Sequence, residues 1–385
     1  MNLKGKRVLV RIDANVPLKG GRVVDGSHGR IARSAVDLDW FLQRGARVIV
    51  MAHLGRPKGR RVSAYSLKPV AKRLSELLKT KVKLSRTVIG DDVKRAVAKM
   101  QDGEVLMLEN LRFDRREKEN SPSFAEALAS IADIYVNDAF SNSHRAHASI
   151  DEITSHLPSY AGPLLANEVS TLARLDKNIK NPFVLIMGGL KMNTKLPVIQ
   201  RFAKEVDQIL IGGALAAAFF AAQGMEVGKS VYDKEAVEVA RKEYKALKKK
   251  FVLPVDVISA SSVRKDARIH VRKADELTKS DRIVDIGPET IKLYKKIIGE
   301  SKTIVWNGPL GYCEIPAFCD GTREIAKVVA ARTGKATSIV GGGDTVPVLE
   351  SLGVADKFSL LSTGGGAMLD FLAGKPLPGV EALRI

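Results

Sequence analysis

The residues best equipped for chemistry close a β-branched run: Ile339-Val340 leads into Gly341-Gly342-Gly343-Asp344-Thr345. Glycines let backbone N–H groups approach phosphate oxygens unobstructed, and a helix opening just beyond adds positive potential. Asp344 is placed to meet a metal riding on those phosphates. The segment suggests a nucleotide-phosphate site; the plain alternative is a tight strand-to-helix turn that binds nothing. A second set follows Gly188-Gly189: Lys191 and Lys195, four residues apart, share one helical face. Two ammonium groups so placed repel each other unless an anion lies between them.

These groups need elements to hold them. Short apolar runs alternate with amphipathic ones. Strands are expected at 8–12, 48–52, 105–108 and 134–136, then at 183–187, 209–211, 251–257, 303–306, 338–340 and 358–361. Ile31, Ala35, Leu38 and Leu42 share a helical face that closes at Gly45. Fully apolar strands separated by helices predict parallel sheets. A break falls near Leu157-Pro158, and a helix over 164–177 leads into the second strand series. The fold class read from this pattern is α/β, with two Rossmann-like parallel-sheet domains joined by a helix.

In such sheets ligands bind beyond the carboxyl ends of the strands. In the first half those positions carry Arg11, Asp13, Asn15, His53, Arg56, Glu109, Asn110, Arg112, Asn137, Asp138, His144, Arg145 and His147. Four strand ends each deliver an arginine, a planar fork suited to phosphate and carboxylate. In the second half they carry Gly188-Gly189, Gly212-Gly213, Asn307-Gly308-Pro309, the triple glycine with Asp344, and Gly364-Gly365-Gly366. One half offers guanidinium groups, the other backbone cradles.

Composition limits the alternatives. The chain has 385 residues, 45% of them apolar and 27% charged, which predicts two domains and no membrane span. Its start runs directly into a strand pattern and is read as carrying no secretory leader. A net charge of +19 favours anionic partners through a long-range field. With 5% aromatics and no base-stacking motif, specific nucleic-acid binding is not expected. Cys313 and Cys319 read as packing residues in a reducing compartment. Gly224 to Ser230 is one residue short of a P-loop. His144 and His147 lack a third ligand and read as anion-site or structural histidines.

Taken in order, these segments resemble the phosphoglycerate kinase family over nearly the whole chain. The motifs are Arg11-Ile12-Asp13-Ala14-Asn15-Val16-Pro17-Leu18, His53-Leu54-Gly55-Arg56-Pro57-Lys58-Gly59, Leu108-Glu109-Asn110-Leu111-Arg112-Phe113, and Val136-Asn137-Asp138-Ala139-Phe140 with His144-Arg145-Ala146-His147. They continue with Gly188-Gly189-Leu190-Lys191 and Lys195, Val305-Trp306-Asn307-Gly308-Pro309, Gly341 to Thr345, and Ser362-Thr363-Gly364-Gly365-Gly366-Ala367. Departures from the family pattern fall at Ala14, Gly26 to Gly29, Met192 to Thr194, and Gly311 to Glu314; none removes a charged group.

The resemblance implies that Asp13, Ala14, Asn15, Arg30, His53, Leu54, Gly55, Arg56, Arg112 and Arg145 hold 3-phosphoglycerate or 1,3-bisphosphoglycerate. It implies that Gly188, Gly189, Lys191, Lys195, Gly212, Gly213, Asn307, Glu314, Gly342, Gly343, Asp344 and Thr345 hold ATP or ADP. Asp344 would carry Mg²⁺ and Glu314 would reach the ribose. Arg30, Lys195 and the amides of Gly365 and Gly366 would act on the transferring phosphoryl group. The implied domains are 1–163 for the acid, 164–177 as connecting helix, 178–366 for the nucleotide, and 367–385 as a tail returning to the first domain. The resemblance also implies an interdomain cleft and hinge, transfer without a general base, a monomer and a cytoplasmic location. Two other readings are a nucleic-acid binder on an inactive kinase scaffold and a kinase of another small carboxylate such as acetate.

Overall fold

A computed structural model describes residues 2–383. The chain folds as two compact units, Met1–Thr171 with Pro376–Ile385, and Leu172–Lys375. The last two positions of the expected tail, 384–385, lie outside the described residues.

The strands of the first unit are β1 Arg7–Ile12, β2 Leu18–Lys19, β3 Arg22–Val23, β4 Arg47–Met51, β5 Val82–Leu84, β6 Val105–Met107, β7 Ile134–Asp138 and β8 Ser159–Ala161. Six of them form one sheet in the order β5-β6-β4-β1-β7-β8, parallel at every pairing, while β2 and β3 make a separate ribbon. Alternation along the strands divides the core in two. Val8, Val10, Val48 and Val50 pack with Ile31, Leu38 and Leu74 on one face. Leu9, Ile49 and Leu106 pack with Val93, Val97, Phe124 and Leu128 on the other. Helices therefore cover both faces, as parallel connections require. Burying one such leucine stabilises by roughly 2 kcal/mol.

The strands of the second unit are β9 Phe183–Met187, β10 Gln208–Ile211, β11 Phe251–Val252, β12 Asp256–Ala260, β13 Ile269–Lys273, β14 Ile283–Ile286, β15 Thr303–Asn307, β16 Thr337–Gly341 and β17 Leu360–Ser362. Its main sheet runs β11-β10-β9-β15-β16-β17, again parallel throughout. The two parallel sheets agree with the expected fold class.

The sequence reading needs correction in three places. The run expected as one strand over 251–257 is two: Pro254 has no N–H for a ladder and ends the first, and β12 joins an antiparallel sheet, β13-β12-β14, that was not foreseen. The strand expected at 358–361 starts only at Leu360, after a 3₁₀ turn over Ala355–Lys357. Cys313 and Cys319 are not free packing residues. The loop folds back through a 3₁₀ turn at Pro316–Phe318, bringing their Cα atoms to 4.5 Å, and the two are disulfide-bonded.

The helix Pro163–Lys177 contains the boundary between the units. Its first turn is capped by Asp138, whose Oδ1 accepts from Leu164 N at 2.9 Å. Near the chain end, the short helix Pro378–Glu381 binds the first unit: Gly379 N donates to Ser143 O at 2.9 Å, and Asn137 Nδ2 donates to Gly379 O at 3.1 Å.

Candidate functional site

In the first unit, the loops leaving β1, β4 and β6 and the segment after β7 are tied together by their own polar groups. Asn15 accepts at Oδ1 from Gly55 N at 2.9 Å, joining the first two loops. Asn110 donates through Nδ2 to Leu54 O at 2.7 Å and Tyr65 O at 2.9 Å. Arg112 Nη1 donates to Gly55 O at 2.9 Å. Gly55 has φ +65°, and a Cβ there would lie 2.3 Å from the Tyr65 ring, so this turn requires glycine. Arg30 opens the helix Arg30–Leu42, whose first amides are capped by Asp25: Ala32 N donates to Oδ2 at 2.9 Å. That start places Arg30 Nη1 2.8 Å from Asn15 O and 3.2 Å from Asp13 Oδ2. Asp13 also accepts from Ser141 Oγ.

The charge balance of this cluster is strongly positive. Burial, then the charges of Arg11, Arg145 and Arg56, pull Arg112 down to about 10. Burial and the same field pull His147 down to about 3. The buried Arg112 Nε has no hydrogen-bond partner among the described residues. Arg56 and Arg145 are exposed, and both act on Arg112. The acid-site residues expected from the sequence therefore gather in one place, with two exceptions in kind. Ala14 and Leu54 are buried members of the apolar core, so their side chains support the loops. Arg11 is 0% exposed and lies within β1; it is an internal arginine, not a free strand-end fork.

Sequence reasoning missed three groups here. Glu117 is wholly buried and accepts from Ser149 N at 3.0 Å and Ser149 Oγ at 2.7 Å. Ser141 and Ser149 complete the set. Glu117 sits in the run Arg115-Arg116-Glu117-Lys118, which reads as solvated surface, so no sequence signal marks it.

In the second unit the cradle is built by backbone packing at the ends of β9, β10, β15 and β16. Gly188 N donates to Asn307 O at 3.0 Å, Gly189 N to Pro309 O at 2.9 Å, Gly213 N to Leu310 O at 2.7 Å, and Gly212 N to Met187 O at 3.0 Å. A Cβ on Gly188 would sit 2.1 Å from Pro309 O, which explains that glycine by close backbone approach. Asn307 Nδ2 donates to Gly341 O at 3.1 Å. Thr345 N and Val346 N donate to Gly342 O at 3.2 and 3.1 Å. The helix Gly365–Leu372 starts against this turn: a Cβ on Gly365 would lie 3.2 Å from Gly342 Cα and 3.7 Å from Gly343 N.

Lys191 caps the helix Met192–Arg201, on which Lys195 is buried. Lys195 Nζ lies 3.4 Å from Lys191 O and close to the Gly189 backbone. Burial first, and then the Lys191 charge, lower Lys195 to about 8; Asp344 acts the other way. Gly189, Lys191, Lys195 and Asp344 thus share one environment. Glu314 is exposed on the disulfide loop, and its carboxylate accepts from Tyr312 Oη at 2.7 Å.

The donor set fits a magnesium ion carried by a nucleotide. No three His, Cys, Asp or Glu side chains cluster as a cage among the described residues. Asp344 is one carboxylate, and the buried Thr345 Oγ1 beside it has no hydrogen-bond partner among the described residues. Magnesium is commonly held this way, by one or two carboxylates plus phosphate oxygens.

Two Rossmann-like parallel-sheet units, one rich in arginine and the other lined with glycine and lysine, present the groups that a kinase of the α/β class uses. The phosphoglycerate kinase family model matches residues 1–375. The chain is 45% identical over 386 aligned residues to the phosphoglycerate kinase of Dictyoglomus turgidum, covering 100% of this chain and 96% of the relative. With that of Moorella thermoacetica it shares 45% identity over 386 residues, at 100% and 97% coverage. Among solved structures, the phosphoglycerate kinase of Coxiella burnetii superposes with TM-score 0.82 at 40% identity, and that of Pyrococcus horikoshii with 0.89 at 29%. Each covers 100% of this chain and 97% of the other. The chain belongs to the phosphoglycerate kinase family, and it is a glycolytic kinase.

Proposed function

We propose that the chain catalyses reversible phosphoryl transfer from 1,3-bisphosphoglycerate to MgADP, giving 3-phosphoglycerate and MgATP. The acid binds the first unit, through Asp13, Asn15, Arg30, His53, Arg56, Arg112 and Arg145. The nucleotide binds the second, through the glycine cradle, Lys191, Lys195, Asn307, Asp344, Thr345 and Glu314. The observation that carries this reading is the excess of positive charge around Arg112, where Arg11, Arg145 and Arg56 outnumber the opposing Glu117 and the buried Nε has no hydrogen-bond partner among the described residues. Several guanidinium groups suit an acceptor with two anionic ends, whereas acetate has one.

The bond that breaks joins the phosphorus to the acyl oxygen of the acid, and the bond that forms joins it to a terminal oxygen of ADP. The leaving carboxylate is ionised at neutral pH and takes no proton, so no general base is required. The protein's part is to align donor and acceptor and to balance charge on the transferring group. Arg30, Lys195 and the Gly365 and Gly366 amides supply that balance. Asp344 and Thr345 would hold Mg²⁺ with the nucleotide phosphates, where the ion neutralises charge on their oxygens. Because acid and nucleotide bind separate units, transfer needs hinged closure of one on the other, which also excludes water.

A monomer in the cytoplasm is part of the proposal. The glycolytic reaction supports that location; the Cys313–Cys319 disulfide is unusual for a reducing compartment outside hyperthermophiles. A coupled assay with MgATP tests the reading. Turnover of 3-phosphoglycerate with none of acetate supports it; the reverse preference, or salt-dependent duplex binding with no ADP formed, ends it.

A further inference from the structure

Beneath the acid site lies a buried chain of polar groups that no substrate contact accounts for. Arg11, on β1 at the sheet centre, is wholly buried. Its Nε donates to Ser149 Oγ at 3.1 Å, and its Nη1 to Ile12 O. Its Nη2 lies 2.9 Å from His53 Nδ1. Ser149 in turn gives both its hydroxyl and its amide to Glu117, which is also wholly buried. Tyr135 Oη donates to Ser149 O at 2.8 Å and fixes that residue from the other side.

Guanidinium nitrogens only donate, and arginine stays protonated in proteins. The 2.9 Å contact is therefore a hydrogen bond only if His53 Nδ1 accepts. An accepting Nδ1 places the ring proton on Nε2 and forbids the imidazolium, which would present donors at both nitrogens. We propose that Arg11, anchored through Ser149 to Glu117, is a positioning residue that locks His53 as the neutral Nε2–H tautomer. His53 then offers the anionic acid a hydrogen-bond donor. With the other tautomer it would offer a lone pair and repel the same oxygen.

The electrostatic surroundings agree. Burial, and then Arg11, Arg112, His147 and Arg145, hold His53 well below the ordinary histidine range. Burial raises Glu117, with Arg11 and Ser149 opposing. The second nearby imidazole, His147, has Nδ1 3.9 Å from Glu117 Oε1, too far for a hydrogen bond, so it does not replace Arg11 as the partner of the Glu117–Ser149 pair. The inference rests on the acid-site reading above for its consequence, and on geometry alone for the tautomer.

The test is nitrogen-15 NMR of the full-length protein labelled at histidine, with the His53 signals assigned through His53→Gln. The expected spectrum shows a bare Nδ1 and a protonated Nε2 for His53, unchanged from pH 5.5 to 8. An Nδ1–H tautomer, or ordinary titration in that window, overturns the proposal. The double variant Arg11→Met/Glu117→Gln removes both buried charges together and avoids stranding either one. It is expected to give a mixed, titrating His53. Its KM for 3-phosphoglycerate should rise about tenfold, the lower end of what orienting partners contribute at metal-bound histidines, with the KM for MgATP unchanged. An unchanged tautomer and unchanged KM for the acid overturn the proposal. If the double variant does not fold, the native spectrum decides. A native protein that holds the tautomer but does not turn over 3-phosphoglycerate sinks the substrate reading instead.

Discussion

Lys195 is a lysine whose charge is disfavoured until a polyanion arrives. It is 5% exposed, has Lys191 beside it, and sits at about 8 where an ordinary lysine is at 10.5. That depression corresponds to roughly 3 kcal/mol against the charged form in the ligand-free protein. The native state binds fewer protons than the unfolded state between those two values. The cost is therefore present in full below about pH 8 and is relieved as pH rises toward 10.5. A nucleotide phosphate placed against the ammonium reverses the balance and draws a proton back. Binding should take up about 0.9 proton at pH 9, about half a proton at pH 8 and about 0.1 at pH 7. Calorimetry of MgADP binding in two buffers of different ionisation enthalpy reads this directly. Lys195→Met should abolish the uptake at pH 9 and raise the melting temperature of the ligand-free protein by several degrees at pH 7. It should also lower kcat by ~10²–10³, as expected for one lost group that stabilises transition-state charge. No uptake at pH 9, or equal uptake in Lys195→Met, refutes the reasoning.

Three further outcomes follow from the geometry. Arg30→Ala should lower kcat by ~10² or more while raising the KM for 3-phosphoglycerate only modestly; a near-native kcat removes Arg30 from the reacting centre. Gly188→Ala should destabilise by about 1–3 kcal/mol, since its Cβ would meet Pro309 O at 2.1 Å; denaturant unfolding and the nucleotide KM check it, and a native-like value for both shows that the backbone yields. Small-angle X-ray scattering with both substrates should show a smaller radius of gyration than with either alone, and identical profiles argue against closure.

A structural control lies on β12, outside the residues assigned to either substrate. Asp256 accepts from Glu289 N at 3.0 Å and Thr290 N at 2.8 Å, capping the helix Pro288–Glu300 from the neighbouring strand. Asp256→Ala should cost about 1–2 kcal/mol of stability with kcat unchanged. Lost activity at full stability would mean this strand serves the site in a way the geometry does not show.

Local pattern made much of this protein readable from its sequence. Parallel strands buried on both faces are written as unbroken apolar runs, so the two sheets and the positions just beyond their strands could be found by eye. The glycines at the strand ends were legible as a pattern, and Gly188 shows why no other residue fits there, since a Cβ would lie 2.1 Å from Pro309 O; Arg30 entered only through the family resemblance. Tertiary packing decided the rest. Nothing local tells a buried Arg11 from an exposed Arg56, since both follow the same apolar pattern; only the sheet order β4-β1-β7 puts one at the centre and leaves the other on a loop. Glu117 and Ser149 are 32 residues apart and meet only when the chain closes over the sheet. The antiparallel β12–β14 sheet and the Cys313–Cys319 bond join residues close in sequence, but only the fold-back of their loops brings the partners into register and the two Cα atoms to 4.5 Å. Sequence sets which groups are present at each strand end; burial and distance, which are properties of the whole chain, set their charge, their tautomer and their partners.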